Sequence, residues 1–203
     1  MPKNVLILGA TGNFGLEIRK YLLAHTDYYL TLVCRHATWI HTNPARERAM
    51  DIDATRVEDL KKAVAGQDVV FSACYTRNLE EIARCTVQAM EETKVERLLF
   101  TAAMGIYNEI PDDVDPMDNV DNCPIQIPNR DGAAVVEASR LNYTILRPGY
   151  FTRGSGPYHV SYKGQPVTGY HTAYSSIIEV AAGLMEDHTA PSRQSIAVNQ
   201  VER

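Results

Sequence analysis

Lys3-Asn4-Val5-Leu6-Ile7-Leu8-Gly9-Ala10-Thr11-Gly12-Asn13-Phe14-Gly15 reads as a strand, a turn and the start of a helix. Val5 to Leu8 form an unbroken apolar run, the pattern of a strand buried on both faces, and it leads directly into glycines at positions 9, 12 and 15. Each glycine has a physical role if a dinucleotide binds here. Gly9 permits the tight turn out of the strand, Gly12 lets the backbone approach a pyrophosphate, and Gly15 lets the next helix pack closely on the sheet. The N–H groups and positive dipole end of that helix would hold the phosphates. The same spacing can be a turn without a ligand, but its position between a strand and a helix is the one a dinucleotide site requires.

Working outward, Phe14, Ile18, Tyr21, Leu22 and Leu23 recur at helical spacing and predict a helix ending near His25. A second strand follows at Tyr29 to Cys34. The residue after that strand normally faces the adenosine ribose, and an acid there takes the 2′-hydroxyl of NAD. This chain has Arg35, with His36 beside it. A guanidinium can pair with a 2′-phosphate that a carboxylate would repel, so the sequence favours NADP over NAD. Arg46 to Ile52 approach or form a third strand, and Asp53 either meets adenine or precedes and caps a helix from Val57 to Val64. Strands at Val69 to Ala73 and Glu96 to Thr101 flank a helix from Leu79 to Glu92.

This alternation predicts an α/β fold of the Rossmann type, doubly wound, with a mostly parallel sheet and helices on both faces. Ligands of such sheets lie across the carboxyl ends of the strands, where Gly12, Arg35, Ser72, Ala73 and Thr101 would meet.

Residues 105–128 are rich in aspartate and proline and read as a long acidic loop, a lid, pocket wall or solvated excursion. A helix is expected from Arg130 to Leu141 with Ala134, Val135, Ala138 and Leu141 on its inner face. A sixth strand, Tyr143 to Leu146, then ends in Arg147-Pro148-Gly149-Tyr150-Phe151. His159 to Tyr162 read as a short strand, Ser176 to Glu179 as a capping box opening a last helix, and Ser195 to Asn199 as the closing strand.

At 203 residues and 45% hydrophobic content, one domain spanning 1–203 is expected, with substrate-side segments at about 105–128 and 150–175. A net charge of −5, with acidic and basic residues interspersed, argues against nucleic acid as a partner. With no leader and no apolar run of bilayer length, the expectation is a cytoplasmic protein that works on a small-molecule substrate without a membrane partner. Amphipathic outer helices on an open sheet suggest a homodimer. Cys34, Cys74, Cys85 and Cys123 are widely spaced and the histidines unclustered, so no metal site is expected.

With these pieces placed, the chain resembles the atypical short-chain dehydrogenase/reductase superfamily, specifically the small NAD(P)H-binding proteins of the NmrA-like, biliverdin reductase B-like and flavin reductase-like kind. The matching segments are Gly9 to Gly15, Asp53-Ala-Thr55, Asp68 to Ala73, Arg97 to Thr101 with Met104-Gly-Ile-Tyr107, and Leu141 to Gly149. The resemblance implies that Thr11, Asn13 and Phe14 join the glycines in lining the pyrophosphate, that Arg35 takes a 2′-phosphate, that Asp53 meets adenine, and that Pro148, Gly149, Tyr150 and Phe151 lie near the nicotinamide. Typical members use a serine after the fifth strand and a tyrosine and lysine four apart on the next helix. Aligned on Met104 to Tyr107 and Glu137, those positions fall on Ala102 or Ala103, Asn129 and Ala133, none able to transfer a proton. Two readings stay open: a reductase passing hydride to a quinone or flavin-like acceptor, or a non-catalytic NADP(H) sensor of the NmrA-like type. The polar groups expected beside the nicotinamide are Tyr107, Asn129, Arg130, Tyr150 and His159, with Tyr107 and Asn129 as the catalytic candidates.

Overall fold

Apolar runs too short for buried helices make the strands of this computed structural model, which describes residues 2–187 and 192–201. In chain order they are β1 (Asn4–Leu8), β2 (Tyr29–Cys34), β3 (Glu47–Asp51), β4 (Val69–Ser72), β5 (Arg97–Thr101), β6 (Asn142–Pro148), β7 (Tyr150–Thr152), β8 (Tyr158–Tyr162), β9 (His171–Ala173) and β10 (Gln194–Gln200). The helices are α1 (Asn13–His25), α2 (Val57–Val64), α3 (Leu79–Thr93), α4 (Ile127–Ala138) and α5 (Tyr174–Glu186).

Eight strands form the main sheet in the order β3-β2-β1-β4-β5-β6-β10-β8, parallel throughout except for β8, which runs antiparallel to β10 at the edge. This is a Rossmann-like α/β fold. The α1 and α5 side chains bury Val5, Ile7, Phe71 and Leu146 on one face of the sheet, while α2, α3 and α4 bury Leu6, Leu8, Leu98 and Phe100 on the other. The strand order reverses between β1 and β4, so the carboxyl ends of these two strands open a crevice. No helix among the described residues is long and apolar enough to cross a membrane.

The structure differs from the sequence expectation in three places. α4 starts at Ile127, with Pro128 in its first turn, where the missing N–H costs no intrahelical bond. Its buried face is Asn129, Gly132, Ala133 and Val136, whereas Ala134 and Ala138 are exposed and Leu141 follows the helix. Gly132 lies at this contact: a Cβ there would sit 3.2 Å from Leu79 Cγ and 3.3 Å from Leu79 O and the Phe100 ring, so any larger residue needs α3 or the ring to give by a few tenths of an ångström. α5 opens one residue past Ala173 without a side-chain cap, and Ser176 lies inside the helix instead of capping it. Finally, β7 and β9 pair in parallel as a small second sheet across the end of the crevice.

Candidate cofactor and substrate cleft

The glycine turn is tied down by backbone alone. The Gly9 and Ala10 N–H groups donate to Val33 O at the end of β2 (3.0 and 3.3 Å), and Gly12 N–H donates to Gly9 O at 3.0 Å. Gly9 has φ of +75°, the left-handed conformation that a side chain disfavours. Gly12 is the N-cap of α1, and the first bond of the new turn runs from Leu16 N–H to Gly12 O at 2.8 Å. The N–H groups of Asn13, Phe14 and Gly15 therefore precede any intrahelical acceptor. α2 and α3 carry Glu58, Asp59, Glu80 and Glu81 in their first turns, but α1 has no acid there, so its positive end is left uncompensated.

From this turn a cleft of about 500 Å³ opens along the carboxyl edge of the sheet. Gly12, Asn13 and Phe14 line one end, with Ala73, Cys74 and Tyr75 beyond β4. Thr101 to Met104 beyond β5 and Pro148 to Phe151 beyond β6 form the middle, while Asp118, Ile125, Gln126 and Tyr174 close the rest. Phe14 supports the wall from behind, its ring edge-on to Phe71 at 5.2 Å and tilted on Phe151 at 5.3 Å. Phe151 in turn stacks on Tyr174 at 4.3 Å. Burial pushes the Cys74 thiol up to about 11, so it stays protonated near neutral pH.

The structure brings most of the sequence-selected residues to this edge. Gly12, Asn13, Phe14, Ala73, Thr101, Pro148, Gly149, Tyr150 and Phe151 line the cleft, and Gly9, Thr11 and Gly15 complete the turn beneath it. Ser72 lies under the wall, fully buried, beside the Cys74 thiol. Arg35 is exposed just past β2 and makes no hydrogen bond or ion pair among the described residues. Asp53 is also exposed. Its Oδ1 accepts from the Thr55 N–H (3.0 Å) and hydroxyl (2.7 Å), which hold the carboxyl below its ordinary range, helped by Arg56 and Arg35.

Other candidates do not reach the cleft. Tyr107 is not among the cleft residues; its hydroxyl donates to Glu137 Oε1 at 2.7 Å and lies 3.2 Å from Ser195 Oγ. Its ring sits between the Lys163 ammonium (4.4 Å) and the Arg147 guanidinium (5.0 Å), and burial pushes its phenol far above the ordinary value. Glu109 accepts from the Gly105 and Tyr107 N–H groups and pairs with buried Arg147, and these bonds hold the chain after Met104 in this course. His159 is exposed on edge strand β8, and Arg130 is an exposed partner of Asp131. Asn129 is buried behind the wall, and Ala133 belongs to the core under α4. In their place the cleft contains Cys74, Tyr75, Asp118, Ile125, Gln126 and Tyr174, which no local periodicity marks.

A nicotinamide dinucleotide fits these residues: the free N–H groups of α1 suit a pyrophosphate, and Thr101, whose buried hydroxyl has no partner, lines the same cleft. Among the described residues, no group of His, Cys, Asp and Glu could hold a metal ion.

An NAD(P)H-binding family model matches residues 9–188, and the chain belongs to that family. It is similar to a Rossmann-fold NAD(P)-binding family protein from Shigella flexneri, at 28% identity and a TM-score of 0.82 over 98% of this chain and 94% of the other. A short-chain dehydrogenase/reductase (wide type) from Veillonella parvula, solved in complex with NADP, shares the fold at 24% identity, TM-score 0.88, over 98% and 95% of the two chains. So does ChuY, an anaerobillin reductase from Escherichia coli O157:H7, at 17% identity, TM-score 0.76, over 99% and 98%.

Proposed function

We propose that this chain is an NADP(H)-dependent reductase of the atypical short-chain type, passing hydride to a small planar acceptor such as a quinone or flavin without a Ser-Tyr-Lys set. The observation that carries the reading is the makeup of the cleft wall. The strand exits present Ala73, Ala102, Ala103, Pro148 and Gly149 beside aromatic rings, and no lysine, arginine or histidine lines it among the described residues. Bound there, a reduced nicotinamide supplies hydride. The chain's own part is to hold and exclude. The Asn13 to Gly15 N–H groups take the pyrophosphate, Arg35 the 2′-phosphate, and Asp53 offers an acceptor to adenine. Tyr75, Met104, Ile125 and Tyr150 give a flat apolar enclosure to a planar ring. An acceptor of this class takes its proton from water, so the wall needs no dedicated acid. We further propose a cytoplasmic protein that acts on small molecules, with a homodimer as its candidate assembly and neither nucleic acid nor membrane as partner.

Two measurements test it. In fluorescence titrations NADPH should bind more tightly than NADH, and Arg35→Ala should weaken NADPH about tenfold with little effect on NADH. Equal affinities in the wild type would remove the NADP assignment. Steady NADPH oxidation is expected with members of a quinone and flavin panel; a silent panel with intact NADPH binding would favour the sensor reading.

A further inference from the structure

Gln126 is the cleft residue whose hydrogen-bonding polarity is set from outside the cleft. It closes the 3-10 turn Pro124–Gln126 directly before α4, is 9% exposed, and faces the same space as Thr101, Met104 and Tyr150. Behind it Asn129, 3% exposed, donates from Nδ2 to Gln126 Oε1 at 2.9 Å. A carboxamide has one acceptor oxygen and one donor nitrogen. With the oxygen engaged by Asn129, Gln126 offers the cleft N–H. A second donor shares the wall: Thr101, 8% exposed, has a buried Oγ1 without a partner, a costly state unless something bound in the cleft completes it. Asp118, the one carboxylate of the wall among the described residues, accepts from the Tyr170 hydroxyl, and Tyr170 stacks on Tyr150 at 5.0 Å. Its charge opposes a negatively charged oxygen placed beside it, whereas Gln126 and Thr101 are neutral groups of the same wall.

We infer that Gln126 Nε2 and Thr101 Oγ1 bind the carbonyl oxygen of the acceptor, and that Asn129 is the positioning residue that keeps the donor of Gln126 toward it. The inference rests on the reductase reading and narrows its substrate to a conjugated carbonyl compound of the quinone type. In the reduction, hydride from the reduced dinucleotide forms the new C–H bond and leaves the dinucleotide oxidised. The displaced π pair settles on the carbonyl oxygen, where two neutral donors hold it, and a water proton completes the hydroxyl product.

4-Nitrophenol tests this without turnover, because its phenolate carries a comparable oxyanion and absorbs apart from the phenol. Absorbance titration across pH in the presence of NADP gives the ratio of phenolate to phenol affinity. Gln126→Met, nearly isosteric, should lower that ratio about tenfold or more, and Thr101→Val should lower it in the same direction. Asn129→Asp separates positioning from packing. An acceptor-only carboxylate at 129 turns Gln126 Nε2 inward and its oxygen toward the cleft, so the ratio should fall although Gln126 is intact. In the Gln126→Met background Asn129→Asp should then add little, which rules out a direct effect of its charge. Unchanged ratios in Gln126→Met and Asn129→Asp overturn the inference, as does a wild type that binds no 4-nitrophenolate at millimolar concentration. NADPH fluorescence is recorded on every protein. Normal NADPH binding with unchanged ratios removes this inference alone, whereas a wild type that fails to bind NADPH removes the reductase reading.

Discussion

A Gly15→Ala protein is expected to lose about 3 kcal/mol of stability and most of its affinity for NADPH. An ideal Cβ at position 15 overlaps the carbonyl oxygen of Gly9 and comes within 3.0 Å of Ala10 Cα. Both are backbone atoms of the turn, so no side chain can rotate away. Relief requires α1 to lift off β1, which opens the contacts of Phe14, Ile18 and Leu22 with the sheet and shifts the N–H groups of Asn13 to Gly15 from their places. A loss of this size is a large share of the ~5–15 kcal/mol that holds a domain together. Two further glycines grade the effect. At Gly12 a Cβ would meet Gly9 O at 3.3 Å, a contact relieved by a shift of a few tenths of an ångström, so Gly12→Ala should cost less. At Gly183, inside α5, nothing lies within 4 Å, and Gly183→Ala should stabilise by roughly 0.5–1 kcal/mol through helix propensity. Urea denaturation gives the stabilities and NADPH fluorescence the affinities. If Gly15→Ala unfolds at the wild-type midpoint, α1 is not seated against the turn as described.

That same segment explains why so much of the fold could be read directly. Its signal is local: four buried apolar residues, a left-handed glycine, and a glycine where a helix touches backbone, all within thirteen positions. β2, β4 and β5 are similarly legible, because a parallel strand buried on both faces is a short continuous apolar run. α4 is harder to read. Its sequence Ile127-Pro-Asn-Arg-Asp-Gly-Ala-Ala-Val-Val-Glu-Ala138 places small residues on every face, so periodicity alone selects Ala134 and Ala138, while packing of Gly132 against Leu79 and Phe100 selects a different face. β7 and β9 are three residues each and pair across a long separation, with no period to detect. In the cleft, residues on strand exits could be placed once the strands were, which is why Thr101, Pro148 and Tyr150 are where the sequence suggested. Asp118 and Gln126 arrive from the excursion after β5, and only tertiary contacts say which of its polar residues turn inward. Tyr107 shows the converse. Its place beside Met104 pointed to the cleft, and a contact 38 positions distant, between Glu109 and Arg147, carries it elsewhere.

That contact sets the second large expectation: Glu109→Leu should destabilise the protein by about 3–5 kcal/mol, because it leaves a guanidinium buried without its counter-charge. The Arg147 side chain is 0% exposed and that of Glu109 5%, and the other contacts of Arg147 are Ser195 Oγ at 3.1 Å, a long 3.4 Å approach to Ser161 O and the Tyr107 ring at 5.0 Å, none of them a counter-charge. The carboxylate also accepts from the Gly105 N–H at 3.1 Å and the Tyr107 N–H at 2.8 Å, so it fixes the start of the excursion as well as the charge. Replacing both partners, Glu109→Leu with Arg147→Met, should recover much of the loss, since the unpaired charge is removed and apolar groups fill the space. It should not recover all, because two backbone N–H groups still lose their acceptor. A double-mutant cycle in urea reads the coupling, and single variants that each cost under ~1 kcal/mol would show that the pair holds nothing. The functional consequence follows from what hangs on this anchor. Beyond Glu109 the chain carries Asp118, Ile125 and Gln126 into the cleft wall, whereas the glycine turn and Arg35 belong to the opposite half of the sheet. The milder Glu109→Gln should therefore speed amide exchange across residues 105–126 and reduce quinone turnover while leaving NADPH affinity close to wild type. A parallel fall in NADPH affinity would mean that the excursion supports the nucleotide as well as the acceptor.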